Sequence, residues 1–184
     1  MRVLGISGSL RSGSHNTSLL REAGRHMRDG VEYAIYDGLR EIPPYDEDLD
    51  AQGTPAAVAD LKQAIAEADG VLFATPEYNS SIPGQLKNAI DWVSRPFATN
   101  PLRNKPVAVI GSSTGMFGAM WAQAELRKVL AATGARVVDA ELSVPKAQAH
   151  LGEGGSLAPE HDEGLADVVS ALLEETRPKV TAAA

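Results

Sequence analysis

Short apolar runs that stop abruptly at Gly, Ser, Thr or Pro recur along this 184-residue chain and alternate with helical patterns; no other feature narrows its possible folds as far. Val3-Leu4-Gly5-Ile6, Gly70-Val71-Leu72-Phe73-Ala74 and Pro106-Val107-Ala108-Val109-Ile110 show no polar alternation at all. A strand covered on one face alternates, whereas a strand covered on both does not, so these runs belong inside a parallel sheet. Residues 31–36 alternate enough to lie nearer a sheet edge, and residues 136–144 give a fifth strand.

Helical spacing fills the intervals. Leu19, Leu20, Ala23 and Met27 form one stripe over residues 18–27, which Asp29-Gly30 stops. Thr54-Pro55 supplies an N-cap and first residue for a helix over 56–68. Residues 83–95 carry Leu86, Ala89, Ile90 and Val93 on one face, and a long helix over 117–132 closes at Gly134. Residues 37–53 read as a polar connection, and a Gly-rich loop at 152–155 leads to a last helix near 163–175. Strands alternating with helices in this way predict an α/β fold: a doubly wound five-stranded parallel sheet with helices on both faces. No repeat or linker divides it, so residues 1–177 are expected to be one domain, with 178–184 a flexible tail.

The bulk properties exclude several function classes. With 17 Lys+Arg against 24 Asp+Glu the net charge is −7, and no basic stripe with interleaved aromatics is present, so nucleic acid is not an expected partner. Cysteine is absent, which removes disulfides, Cys-ligated zinc and thiol catalysis and leaves any redox chemistry to a bound cofactor. The first apolar run is too short for a signal peptide, and no later run could span a membrane, so a cytoplasmic location is expected.

Ligands of doubly wound sheets bind beyond the carboxyl ends of the strands, where strand order reverses. Three strands here end in polar or small-residue loops, at 7–17, 75–81 and 111–118. The first runs from a buried strand into a helix, so backbone N–H groups and the positive end of the helix dipole meet the site. Ser9, Ser14, Asn16 and Thr17 add hydrogen bonds, and Arg11 adds a guanidinium fork suited to phosphate oxygens. An ordinary capped turn needs one Ser or Asn, so this concentration points to phosphate. Glycines at 5, 8 and 13 do not spell G-x-G-x-x-G, and no Lys follows as in a P-loop. Tightly held NAD and substrate ATP lose support; a monophosphate such as that of FMN fits a compact hydroxyl-rich loop. A flavin ring needs a flat slot with hydrogen bonds to its pyrimidine edge, which Glu77, Tyr78 and Asn79 would line, with residues 112–118 closing over the far edge.

Gly8-Ser9-Leu10-Arg11-x-x-Ser14-x-Asn16, then Pro76-Glu77-Tyr78-Asn79, then Pro83-Gly84-x-Leu86-Lys87-Asn88-Ala89-Ile90-Asp91-Trp92, resembles the NADPH-dependent FMN reductase family, which includes quinone, chromate and azo-dye reductases. The similarity runs over about residues 1–144. It implies a flavodoxin-like fold, with FMN held at its phosphate by Ser9, Arg11, Ser14, Asn16 and Thr17. Pro76, Glu77, Tyr78 and Asn79 would lie along the isoalloxazine, and Ser113, Thr114 and Gly115 would complete the pocket. It also implies a homodimer or homotetramer with the flavin near the subunit interface. One departure stands out: relatives with quinone or chromate activity often have a Gly-Gly step after the third loop, whereas here Gly118-Ala119 precedes Met120-Trp121. The bulky pair would reshape the substrate mouth.

Other residues carry weaker signals. Trp92 and Trp121 are core or interface candidates, and His15 lies within the phosphate loop. His26, His150 and His161 show no mutual spacing that suggests a metal site, and the acidic run at 46–50 lacks EF-hand spacing. No Ser-His-Asp or nucleophile-elbow pattern occurs, so no protein residue is expected to be an obligatory acid or base, as suits chemistry carried by a flavin. The expected activity is electron transfer from NADPH or NADH through bound FMN to a small acceptor such as a quinone, free flavin, azo compound or chromate. The alternative is a flavodoxin-type carrier that binds FMN without itself oxidising NAD(P)H.

Overall fold

Parallel pairing joins β1 (Arg2–Ser7) to β2 (Glu32–Tyr36) on one side and to β3 (Gly70–Thr75) on the other, and β4 (Pro106–Ser112) and β5 (Arg136–Val144) continue the sheet in the order β2-β1-β3-β4-β5. This arrangement comes from a computed structural model that describes residues 1–151 and 156–177. The loop expected at 152–155 and the tail expected at 178–184 lie outside those residues. Every residue of β3 and β4 is buried, as their unbroken apolar runs require.

The strand period of two sorts these side chains into two cores. Leu4, Ile6, Val71, Phe73, Val107 and Val109 face one side; Val3, Leu72, Ala74, Ala108 and Ile110 face the other. The first core is covered by α3 (Ala56–Glu67), α4 (Gly84–Val93) and α5 (Met120–Ala132). The second is covered by α1 (His15–Ala23) and α7 (Pro159–Glu175). Two shorter helices, α2 (Glu47–Gln52) and α6 (Ala147–His150), sit in connections. No helix among the described residues is long and apolar enough to cross a membrane.

The fold departs from the sequence expectation mainly at helix ends. Ser14 caps α1, its Oγ accepting the Thr17 N–H at 3.2 Å, so the helix starts three residues earlier than the apolar stripe suggests. Residues 24–26 then tighten into a 3-10 turn in place of continuing to Met27. Within 37–53, the acidic run is not free loop: Asp46 caps α2 through the Asp48 N–H at 2.9 Å, and Glu47 and Asp48 lie in its first turn, where the helix dipole favours negative charge. Pro159 opens α7 ahead of the expected start. α5 begins at Met120, because Gly118 and Ala119 both adopt left-handed φ values of 58° and 64°.

Gly118 has no alternative at its position. A Cβ there would lie 2.6 Å from Val144 N and 2.7 Å from the Ser143 carbonyl carbon, and the left-handed backbone adds strain for any L side chain. Gly118→Ala is expected to lower stability in urea unfolding by roughly 2–4 kcal/mol; a parent-like midpoint would show that this approach to β5 is not as described.

Candidate functional site

Strand order reverses between β1 and β3, and the loops after β1, β3 and β4 open there along one sheet edge. In the first loop the Gly8 N–H donates to the Ala74 carbonyl at 2.8 Å, which starts the turn against β3. The Ser9 Oγ accepts the Arg11 N–H at 3.4 Å, and Arg40 Nη2 donates to the Leu10 carbonyl at 2.5 Å. Thr17 turns its hydroxyl back to Ser7 Oγ at 2.9 Å. The buried Asn16 reaches across the end of β3: its Nδ2 donates to the Ser112 carbonyl at 3.0 Å, and its Oδ1 accepts the Ser112 N–H at 2.9 Å. The first helical N–H groups, those of His15 and Asn16, meet no acceptor among the described residues. Partial burial first, and the Arg11 guanidinium second, hold His15 below the usual imidazole pKa.

The second loop turns tightly. Tyr78 and Ser81 exchange backbone hydrogen bonds of 3.0 and 3.1 Å, and Asn79 and Ser80 between them have φ of 54° and 60°, as a two-residue hairpin turn of the primed kind requires. Glu77 is committed elsewhere: its Oε2 accepts the N–H groups of Trp121 and Ala122, both at 3.1 Å, and so caps α5. Backbone hydrogen bonds tie the third loop to the end of β5 and the chain that follows it, and Gln123 Nε2 adds a side-chain link by donating to both the Gly118 carbonyl and Ser143 Oγ. Ser113 N–H donates to the Val144 carbonyl at 3.2 Å, and the Lys146 and Ala147 N–H groups donate to Gly115 and Ser113 carbonyls at 2.9 Å each. These bonds bring α6, with Gln148, to the same edge.

The three loops enclose a cleft of about 320 Å³, within the range of small-molecule sites. Of the residues expected at the site, Ser9, Arg11, Ser14 and Asn16 line one wall, Pro76, Glu77 and Tyr78 a second, and Ser113 and Thr114 a third. Thr17 borders a neighbouring cavity of about 350 Å³, reached on the other side of Arg11 and walled also by Arg21 and Arg40. Asn79 at the hairpin tip and Gly115 are not in the cleft lining. His15, Ser112 and Gln148 also line the cleft. Gln148 had no sequence signal beyond following the fifth strand, because only the backbone ties of the third loop bring it there.

Ser112 Oγ is buried and meets no hydrogen-bond partner among the described residues. Arg11 forms no ion pair among the described residues. Beside the cleft, Tyr78, Met116, Phe117, Met120 and Trp121 are all between 46% and 72% exposed, and Phe117 meets Trp121 edge to face at 4.9 Å. Trp92 is different: it is buried, and its Nε1 donates to the Pro43 carbonyl at 2.8 Å.

Comparison with known proteins agrees with this architecture. A family model described as NADPH-dependent FMN reductase matches residues 1–149. An NAD(P)H-dependent FMN reductase of Pseudomonas aeruginosa is 50% identical over 130 residues, 71% of this chain and 69% of that protein. A quinone reductase of Escherichia coli is 41% identical over 140 residues, 76% of this chain and 74% of the relative. Among solved structures, the flavoenzyme NAD(P)H:(acceptor) oxidoreductase of Paracoccus denitrificans superposes with a TM-score of 0.85 at 35% identity, covering 95% of this chain and 96% of that one. The chain belongs to the NADPH-dependent FMN reductase family, flavodoxin-like oxidoreductases that take electrons from NAD(P)H through FMN.

Proposed function

We propose that the cleft seats FMN with its phosphate at the N-terminus of α1 and its ring between the second and third loops, and that the acceptor is a quinone-type small molecule. The observation that carries this reading is an unmet hydrogen-bonding capacity concentrated in one place. Among the described residues, the N–H groups of His15 and Asn16 meet no acceptor, Arg11 no carboxylate and Ser112 Oγ no partner, and all four residues line the same cleft. Buried or converging polar groups left unpaired are costly, and an anion with a hydrogen-bonding tail meets that need. Bound there, FMN supplies hydride acceptance from NAD(P)H and onward electron transfer.

The chain's own residues divide the work of binding. Arg11 and the α1 amides neutralise the phosphate, while Ser9 and Ser14 shape the loop that presents them. Thr17 and Asn16 act through position, since Ser7 and Ser112 already occupy their polar atoms. Glu77 acts in the same manner by fixing the second loop on α5, which leaves the Tyr78 ring as a wall of the slot. The relative from Escherichia coli is named a quinone reductase, and a flat aromatic acceptor suits a slot edged by Tyr78, Phe117 and Trp121. The exposed apolar side chains beside the cleft support pairing of two copies across its mouth, as a homodimer or as half of a homotetramer. A cysteine-free chain drawing on NADPH or NADH is assigned to the cytoplasm.

Three outcomes are expected. Arg11→Ala weakens FMN binding by roughly 1.5–3 kcal/mol, the contribution of a charge-assisted hydrogen bond, as read by fluorescence titration; an unchanged dissociation constant removes the phosphate from this loop. Mixing the FMN-loaded protein with NADPH without air bleaches the flavin absorbance rapidly, and adding a quinone restores it; persistence of the yellow colour points instead to an electron carrier. Trp121→Glu lowers the mass measured by light scattering to that of a monomer, whereas an unchanged mass removes this surface from the subunit contact.

A further inference from the structure

Apart from the residues assigned to FMN, α6 ends at His150, and the first turn of α7 carries Glu160 and His161. One potential ligand atom from each of these three residues lies within 4.8 Å of the others. His150 Nδ1 is 3.1 Å from Glu160 Oε1, and the two imidazoles meet edge to face with centroids 4.9 Å apart. An ion pair accounts for His150 and Glu160. It does not account for His161, whose Nε2 is sealed from solvent and meets no hydrogen-bond partner among the described residues. A buried polar nitrogen without a partner is unfavourable, and a metal ion is one partner that also explains why a second imidazole and a carboxylate stand beside it.

We propose that His150, Glu160 and His161 bind one divalent transition-metal ion of the zinc class. Two imidazoles and a carboxylate are the ligand types that zinc accepts, and they leave a fourth tetrahedral position for water. Magnesium and calcium favour oxygen ligands over imidazole, so a site with two ring nitrogens and one carboxylate selects against them. Zinc bonds of about 2.0–2.1 Å place ligand atoms roughly 3.3 Å apart. The His150–Glu160 pair already stands at that separation, at 3.1 Å. The widest separation in the cluster, at most 4.8 Å, shrinks by no more than roughly 1.5 Å on ligation, which side-chain torsions supply.

The ion would clamp α6 to α7. α6 is in turn tied by backbone to the third loop at Ser113 and Gly115. The role assigned to the metal is structural. Sequence spacing did not reveal the cluster: His150 and His161 are eleven positions apart, and only the placement of α7 against the sheet brings the two imidazoles together.

The test uses full-length, tag-free, FMN-loaded protein freed of metal by a chelator. Calorimetric titration with zinc chloride is expected to show one site per chain, and magnesium chloride at the same concentration none. His150→Gln and His161→Gln each lower zinc affinity by roughly 100-fold or more, since loss of a direct ligand exceeds the effect of losing its supporting partner. Zinc raises the thermal midpoint of the parent and not of the variants, while the flavin spectrum stays that of the parent in all of them. If either histidine variant does not fold by circular dichroism, Glu160→Gln replaces it, because that side chain is 58% exposed. Failure of the parent to bind zinc, or binding of parental strength in the folded variants, overturns the proposal. Neither result bears on the assignment of FMN, which is read separately from the flavin absorbance.

Discussion

The site depends on one buried carboxamide. Asn16 sits in the first turn of α1, yet both of its polar ends are spent on the backbone of Ser112 at the end of β4. Since β3 lies between β1 and β4, this side chain spans the strand at which the sheet changes direction and fixes how far apart the first and third loops stand. Two buried hydrogen bonds of this kind contribute about 0.5–1.5 kcal/mol each, and removing one partner leaves the other unpaired at about 1–3 kcal/mol. The first and third loops are thus set in register by the fold itself.

Glu77 plays the matching part on the other side. The carboxylate of this second-loop residue accepts two amides at the start of α5, where the helix dipole favours negative charge. The same contact sets where α5 begins, and therefore where Met120 and Trp121 emerge beside the cleft. Shape, charge and exposure around the slot follow from a few polar contacts across its loops, while the two apolar cores on either side of the sheet supply the rigid frame.

Sequence made the frame legible because burial on both faces removes alternation, and β3 and β4 carry that mark without interruption. That the first loop lines a cleft was legible for a related reason: it carries more polar groups than one cap needs. What escaped was decided by atoms that a sequence pattern does not display. α2 is too short for a 3.6-residue period to emerge, and its cap at Asp46 was hidden in a run of acids. The chemistry of Asn16, Thr17 and Glu77 reads as ligand contact, and it does not display that their side chains also bond Ser112, Ser7 and α5. Gln148 was invisible, since it reaches the cleft only through carbonyl contacts of the third loop.

Those carbonyl contacts have a consequence for how such a protein can change over evolutionary time. Ser113 and Gly115 hold the end of β5 and the segment after it with main-chain atoms, which every residue type but proline possesses. Side chains at the rim can therefore be exchanged without loosening the loop that carries them. Selection can alter the exposed surface of this edge through Met116, Phe117, Met120 and Trp121, while the first loop, separated from it by β3, is inherited unchanged.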